Sequence, residues 1–140
     1  MITIDEKSTR KEALEACKQH WQWLADNPEK DKDDWPELDP TTHDDCYCCE
    51  FMLSQPRGEM NRIDCRNCPL SGYAWTAGKW PACCDDETSL YEMWRHAVAL
   101  LDDEDISEEK KEISLADRRK YALEMVAACD AALNNGPKRF

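Results

Sequence analysis

Residues 46–84 read CYCCEFMLSQPRGEMNRIDCRNCPLSGYAWTAGKWPACC and hold seven of the nine cysteines in the chain. Two CxxC pairs stand inside the stretch, Cys46-Tyr47-Cys48-Cys49 and Cys65-Arg66-Asn67-Cys68. Two residues between ligand cysteines let one tight turn offer both sulfurs to one ion. A second such turn completes a tetrahedral shell with Zn–S bonds of about 2.3 Å. The stretch therefore reads as a structural Zn²⁺ site with Cys46, Cys49, Cys65 and Cys68 as ligands. Pro56 and Gly58 fall in the intervening loop, and Pro69 and Gly72 supply turn chemistry after the second pair. Other donors compete for the shell. Cys48 can replace Cys46 or Cys49, Cys83 or Cys84 can replace any of the four, and His43 can enter as a nitrogen ligand. Seven cysteines with His43 make eight donors, enough for two ions.

The rest of the composition fits a small metal-assisted fold. A chain of 140 residues defaults to one domain, and at this size roughly 70% of the unfolded surface is buried on folding. Charged residues at 34% and a mean hydropathy of -0.82 make the core small relative to the surface. A metal helps to close that gap. The formal net charge is -12, and four thiolates around one dication would add a further -2. This balance repels nucleic-acid phosphate and anionic lipid and favours basic protein partners. The opening Met-Ile-Thr-Ile-Asp-Glu is not a basic n-region and no apolar h-region follows it. No apolar run approaches the roughly 18 residues of a membrane span. The expectation is a cytoplasmic protein with reduced thiols, where nine cysteines point to metal before disulfides.

Helical signals flank the cysteine stretch. Residues 1–7 read as an extended lead-in. Thr9 and Glu12 form a capping-box pair, and Leu14, Cys17, Trp21 and Leu24 follow at helical spacing up to the stop at Asn27-Pro28. This predicts a helix over 9–27. Residues 28–45 are broken by Pro28, Pro36 and Pro40, with Trp35-Pro36 as the apolar anchor of a loop. A second helix is expected over 86–102, capped by Ser89 and Glu92, with Leu90, Trp94, Ala97, Val98 and Leu101 on one stripe. A third is expected over 107–134, capped by Ser107 and carrying Ala122, Met125, Val126, Cys129, Ala132 and Leu133. Asn134-Asn135-Gly136-Pro137 stops it, and Ser114 with Asp117 marks a possible break. Cys17 and Cys129 lie on apolar stripes and read as core residues. His20 and His96 read as surface or stripe-edge residues. The predicted fold is one all-α domain over 1–140: three amphipathic helices with an irregular zinc-binding insert at 46–84.

Catalytic readings find little support. Ferredoxin-type clusters pack three cysteines at two-residue spacing, which this chain lacks. A redox dithiol at Cys65 and Cys68 wants a βαβ setting, and none is visible. A hydrolytic zinc needs an open position, whereas a surplus of thiolates closes the shell. Neither His-x-Glu nor Pro-Cys-x-x-Cys, the deaminase pairing, occurs. No enzyme is expected.

The order Cys46, Cys49, Glu50, Phe51, then Cys65, Cys68, Pro69, Leu70, then Cys84, then Tyr91 and Trp94 resembles a family of small uncharacterised bacteriophage and prophage proteins. The resemblance covers about 50 residues in the middle of the chain. Cys48 and Cys83 depart from the pattern. It implies a phage origin and a bound metal, and it transfers no activity. Two function classes follow. The first is an acidic zinc-binding interaction module that engages a basic or nucleic-acid-binding host protein, such as a defence factor it inhibits. Six tryptophans in 140 residues supply its interface anchors. The alternative is a zinc-dependent nucleic-acid-binding module. It would use Arg57, Arg62, Arg66 and Lys79 among Tyr73, Trp75 and Trp80. Segments 31–45 and 85–112, at -6 and -8, oppose it.

Overall fold

The computed structural model describes residues 1–41, 46–54, 68–70, 73, 90–98, 101 and 104–136. Four α-helices are seen among these residues: α1 (Arg10–Asp26), α2 (Tyr47–Ser54), α3 (Leu90–Ala97) and α4 (Glu108–Asn135), with a 3-10 turn at Lys32–Asp34. No strand ladder forms among them; Ile2 and Leu38 make one isolated parallel bridge. The all-α class is as expected. The helix count is not: three helices were predicted, and the extra one, α2, lies inside the stretch read as irregular.

Helix α1 begins at the predicted box. The Thr9 side chain accepts from the Glu12 amide, and the Glu12 carboxylate accepts from the Thr9 amide at 3.2 Å. Its buried face carries Ala13, Leu14, Ala16, Cys17, His20, Trp21, Leu24 and Ala25. The helix ends at Asp26 because Asn27 precedes proline. The Asn27 amide and side chain both donate to the Trp23 carbonyl at 2.9 Å. Fully burying side chains such as Leu14 and Leu24 contributes about 1.5–3 kcal/mol each.

Helix α4 runs unbroken through Ser114, since that side chain is buried and the N-cap role falls to Ser107, which accepts from the Lys110 amide. It packs along α1 with Ala122, Met125, Val126, Cys129 and Ala132 facing inward. Gly136 ends it with φ +73, a backbone that side chains rarely adopt. The predicted second helix, 86–102, ends earlier than expected: α3 stops at Ala97, and Val98 and Leu101 lie in turns; residues 86–89, 99, 100, 102 and 103 lie outside the described residues.

Two aromatic clusters tie the loops to this frame. Trp94 of α3 meets Trp21 edge-on at 5.0 Å, with Tyr91 beside both. Buried Arg118 lies 3.9 Å from the Trp94 ring, and the Lys32 ammonium lies 4.5 Å from that of Tyr91. In the second cluster, Trp35 stacks on His20 at 4.5 Å, and Tyr47 meets Trp35 edge-on. Trp35 is thus the loop anchor the sequence suggested. His20 is not a surface residue: it is 1% exposed, with its Nε2 2.7 Å from the Lys32 carbonyl oxygen. His96 is exposed and pairs with Glu92 on its own helix.

Candidate metal centre

The start of α2 is fixed from outside. Tyr47 is buried, and its hydroxyl donates to the Ile2 carbonyl at 2.7 Å and accepts from the Asp39 amide at 3.4 Å. Desolvation pushes the Tyr47 phenol above its ordinary range. The extended lead-in and the 35–39 loop therefore grip the first helical residue, and Cys46, Cys48 and Cys49 lie beside it. All three are buried, as is Glu50 in the same turn.

The turn at Cys68 is held separately. Cys68, Pro69 and Leu70 are buried, and the Leu70 amide donates to Cys68 Sγ at 3.4 Å. An amide two residues on, aimed at the sulfur, stabilises that sulfur as an anion. Arg10 clamps the turn: its guanidinium donates to the Pro69 carbonyl at 3.3 Å and to the Ala132 carbonyl near the end of α4 at 3.2 Å.

The six described cysteines, Cys17, Cys46, Cys48, Cys49, Cys68 and Cys129, are all buried and free of disulfide bonds. Five of them make one sulfur network in the core, in which Cys129, Cys46 and Cys48 act on the titration of the Cys17 thiol and Cys17, Cys46 and Cys68 act on that of the Cys48 thiol. The Cys17 thiol is pushed well above its ordinary pKa, first by its contact with Cys129 and then by Cys46, with burial adding to the effect. Cys48 is pushed the same way, first by Cys17. As the side chains stand, no group of three or more His, Cys, Asp and Glu among the described residues could hold a metal ion.

Of the predicted ligands, Cys46, Cys49 and Cys68 are buried in the same core; Cys65 lies outside the described residues, as do His43, Cys83 and Cys84. Cys17 and Cys129 are buried, as expected of core cysteines, yet they join the sulfur network, which the sequence reading missed. One signal was available: each sits on the inward stripe of a helix in a chain already rich in buried-type cysteine.

Three of the four described tryptophans, Trp21, Trp35 and Trp94, are buried, so they support the core and not a surface. Trp23 is half-buried in an open cleft of about 530 Å³ with Leu133, Glu15 and Asp26 among its walls. Lys18, also in the wall, is engaged by Asp130 at 2.6 Å. No described helix is long and apolar enough to cross a membrane. No protein-family model, curated protein or solved structure matches the chain.

Proposed function

We propose that the chain is a small acidic zinc-binding interaction module. In this reading a thiolate-bound Zn²⁺ fixes the cysteine segment, with Cys46, Cys49, Cys65 and Cys68 as the ligands that spacing favours. The rigid acidic surface then engages a basic protein. The observation that carries the reading is the buried thiol network of Cys17, Cys46, Cys48, Cys68 and Cys129. An apolar core has no need to bring five cysteines from distant positions into one neighbourhood. Zinc chemistry does, and ligation in small finger domains contributes an apparent 10–16 kcal/mol or so to folding.

The partner class follows from charge and from one surface feature. Trp23 and Leu133 supply apolar contact in the α1–α4 cleft, while Glu15 and Asp26 leave its rim acidic once Lys18 is neutralised by Asp130. A basic segment of a host nucleic-acid-binding protein fits that chemistry, and the resemblance to phage proteins makes inhibition of a host or defence factor its natural use. Nothing in this reading requires catalysis. Native mass spectrometry with elemental analysis tests the metal: a chain purified free of zinc refutes it. Capture of basic proteins from a bacterial lysate at low salt, by metal-loaded wild type and by Trp23→Ala, tests the surface. A gel shift of single-stranded DNA or RNA at ~50 mM salt would favour the nucleic-acid alternative instead.

A further inference from the structure

Helix α4 is buried along one side only. Ser114, Arg118, Ala122, Met125, Cys129 and Ala132 face inward, and α1 and α3 pack against α4. Helical periodicity places Ala116, Leu123 and Ala127 on the opposite side, with Ile113, Lys120, Glu124 and Ala131 along one of its edges. A helix partnered on one side ordinarily keeps the other polar. Here the outer side holds Ile113 at 55% exposure and Leu123 at 42%, two of the three exposed large hydrophobic residues among those described. Ala116 and Ala127 are exposed as well. A shallow hollow of about 490 Å³ lies between them, bordered by Arg119, Lys120, Leu123 and Glu124.

We propose that this outer face of α4 is a homodimer interface, covered by the same face of a second copy running antiparallel. The face does not include the Trp23 cleft, and the inference does not rest on the zinc reading.

Charge and spacing identify the occupant. The chain carries -12, so much of its surface repels a copy of itself. Helix α4 has six acids and five bases, so a copy approaching along it meets little net repulsion. The spacing of the edge residues reads the same in both directions: Ile113, Lys120, Glu124 and Ala131 stand seven, four and seven residues apart. Turning the helix end for end about an axis level with Ala122 therefore sets Lys120 beside the partner's Glu124, and Glu124 beside the partner's Lys120. The same turn sets Ile113 beside the partner's Ala131. Leu123, close to the axis, enters the hollow between the partner's Ala116 and Ala127, whose small side chains let the helices approach closely. A parallel pair would instead press Lys120 against the partner's Lys120. No described ion pair within the chain uses Lys120 or Glu124. The face from Ile113 to Ala131 is about 27 Å long. One such pair of faces is at the low end of specific interface areas, so the dimer should be weak and concentration-dependent.

Sedimentation equilibrium of the full-length chain, from about 1 to 500 μM, is the test. The average mass should rise from the monomer's 16.3 kDa toward twice that value. Leu123→Glu should hold the chain at the monomer mass throughout, with an unchanged circular dichroism spectrum because the side chain is exposed. Lys120→Glu and Glu124→Lys each turn two attractions into two repulsions and should raise the dissociation constant about tenfold or more. The double reversal should restore wild-type association. A wild-type chain that stays monomeric, or a dimer that Leu123→Glu leaves intact, overturns the proposal. So does a double reversal that fails to rescue the single ones, since the pairing of Lys120 with the partner's Glu124 is then wrong. A monomer that captures a basic protein and loses it in Leu123→Glu assigns the face to that protein, and the dimer is again refuted.

Discussion

Replacing Arg118 is the sharpest test of how the helices are joined. Its side chain is completely buried on α4, yet its hydrogen bonds reach two separate pieces of chain, α3 and the 28–31 loop. Nε donates to the Trp94 carbonyl at 3.3 Å, and Nη1 donates to the Pro28 and Lys30 carbonyls at 3.0 and 3.1 Å. Nη2 meets Asp31 at 3.2 Å, and the guanidinium covers the Trp94 ring. Arg118→Ala leaves the Trp94 carbonyl buried without this donor, which costs about 1–3 kcal/mol. Pro28 and Lys30 are more accessible, so water can replace the lost donor there at smaller cost. Loss of the cation–π contact adds about 1–2 kcal/mol. The cavity adds a further term, while the buried cation's own desolvation, which lowers its pKa, is relieved. A net loss of about 3–5 kcal/mol is expected. Asp31→Asn should cost under about 1 kcal/mol, because the Asp31 side chain is 63% exposed and its pairing is screened. Arg118→Met, which keeps most of the volume and removes the donors, should fall between the two. Urea unfolding followed by circular dichroism reads all three. If Arg118→Ala lies within 1 kcal/mol or so of wild type, or Asp31→Asn costs as much as Arg118→Ala, the assignment of the anchoring energy to backbone carbonyls is wrong.

Other expectations follow from the same contacts. Exhaustive chelation should lower the melting temperature and broaden the transition, and readdition of zinc should restore it; an unchanged transition refutes a structural metal. Arg10→Ala should destabilise by about 1–3 kcal/mol through loss of charge-assisted bonds to the Pro69 and Ala132 carbonyls. It should also speed zinc release, measured with a chromogenic chelator, because the Cys68 turn is freed. The Thr41 amide, then the Thr41 and Thr3 hydroxyls, hold the Asp39 carboxyl below the usual carboxylate range. Its contribution is therefore present above the unfolded value of about 3.9 and is lost as pH falls through the lower folded value. Asp39→Asn should flatten that part of the acid-unfolding curve. Trp23→Ala should leave the melting temperature nearly unchanged while abolishing capture of a basic partner.

The helices were readable where local chemistry alone decides. The Thr9–Glu12 box, the Asn27-Pro28 stop, the Ser107 cap and the Asn135-Gly136 end all lie where side-chain signals put them. Helix α2 was hidden because Tyr47–Ser54 carries two cysteines and no capping signal, and Tyr47 is anchored through bonds to Ile2 and Asp39, residues distant in sequence. His20 misled for a similar reason. A histidine on a helix edge looks solvent-facing until a remote tryptophan, Trp35, stacks over it. For the cysteines, spacing selects pairs close in sequence. It carries no information that two lone cysteines on separate helices will meet the others, since only the packing of α1 against α4 brings them together.

Cys17 and Cys129 are the first and last cysteines in the chain, and they are neighbours in the core. During synthesis the sulfur network therefore stays incomplete until nearly all of the polypeptide has emerged from the ribosome. The CxxC pairs emerge earlier. Maturation should thus be slow and late, as for folds dominated by distant contacts. A nascent chain stalled before Cys129 would present open, reactive thiols that the finished protein conceals.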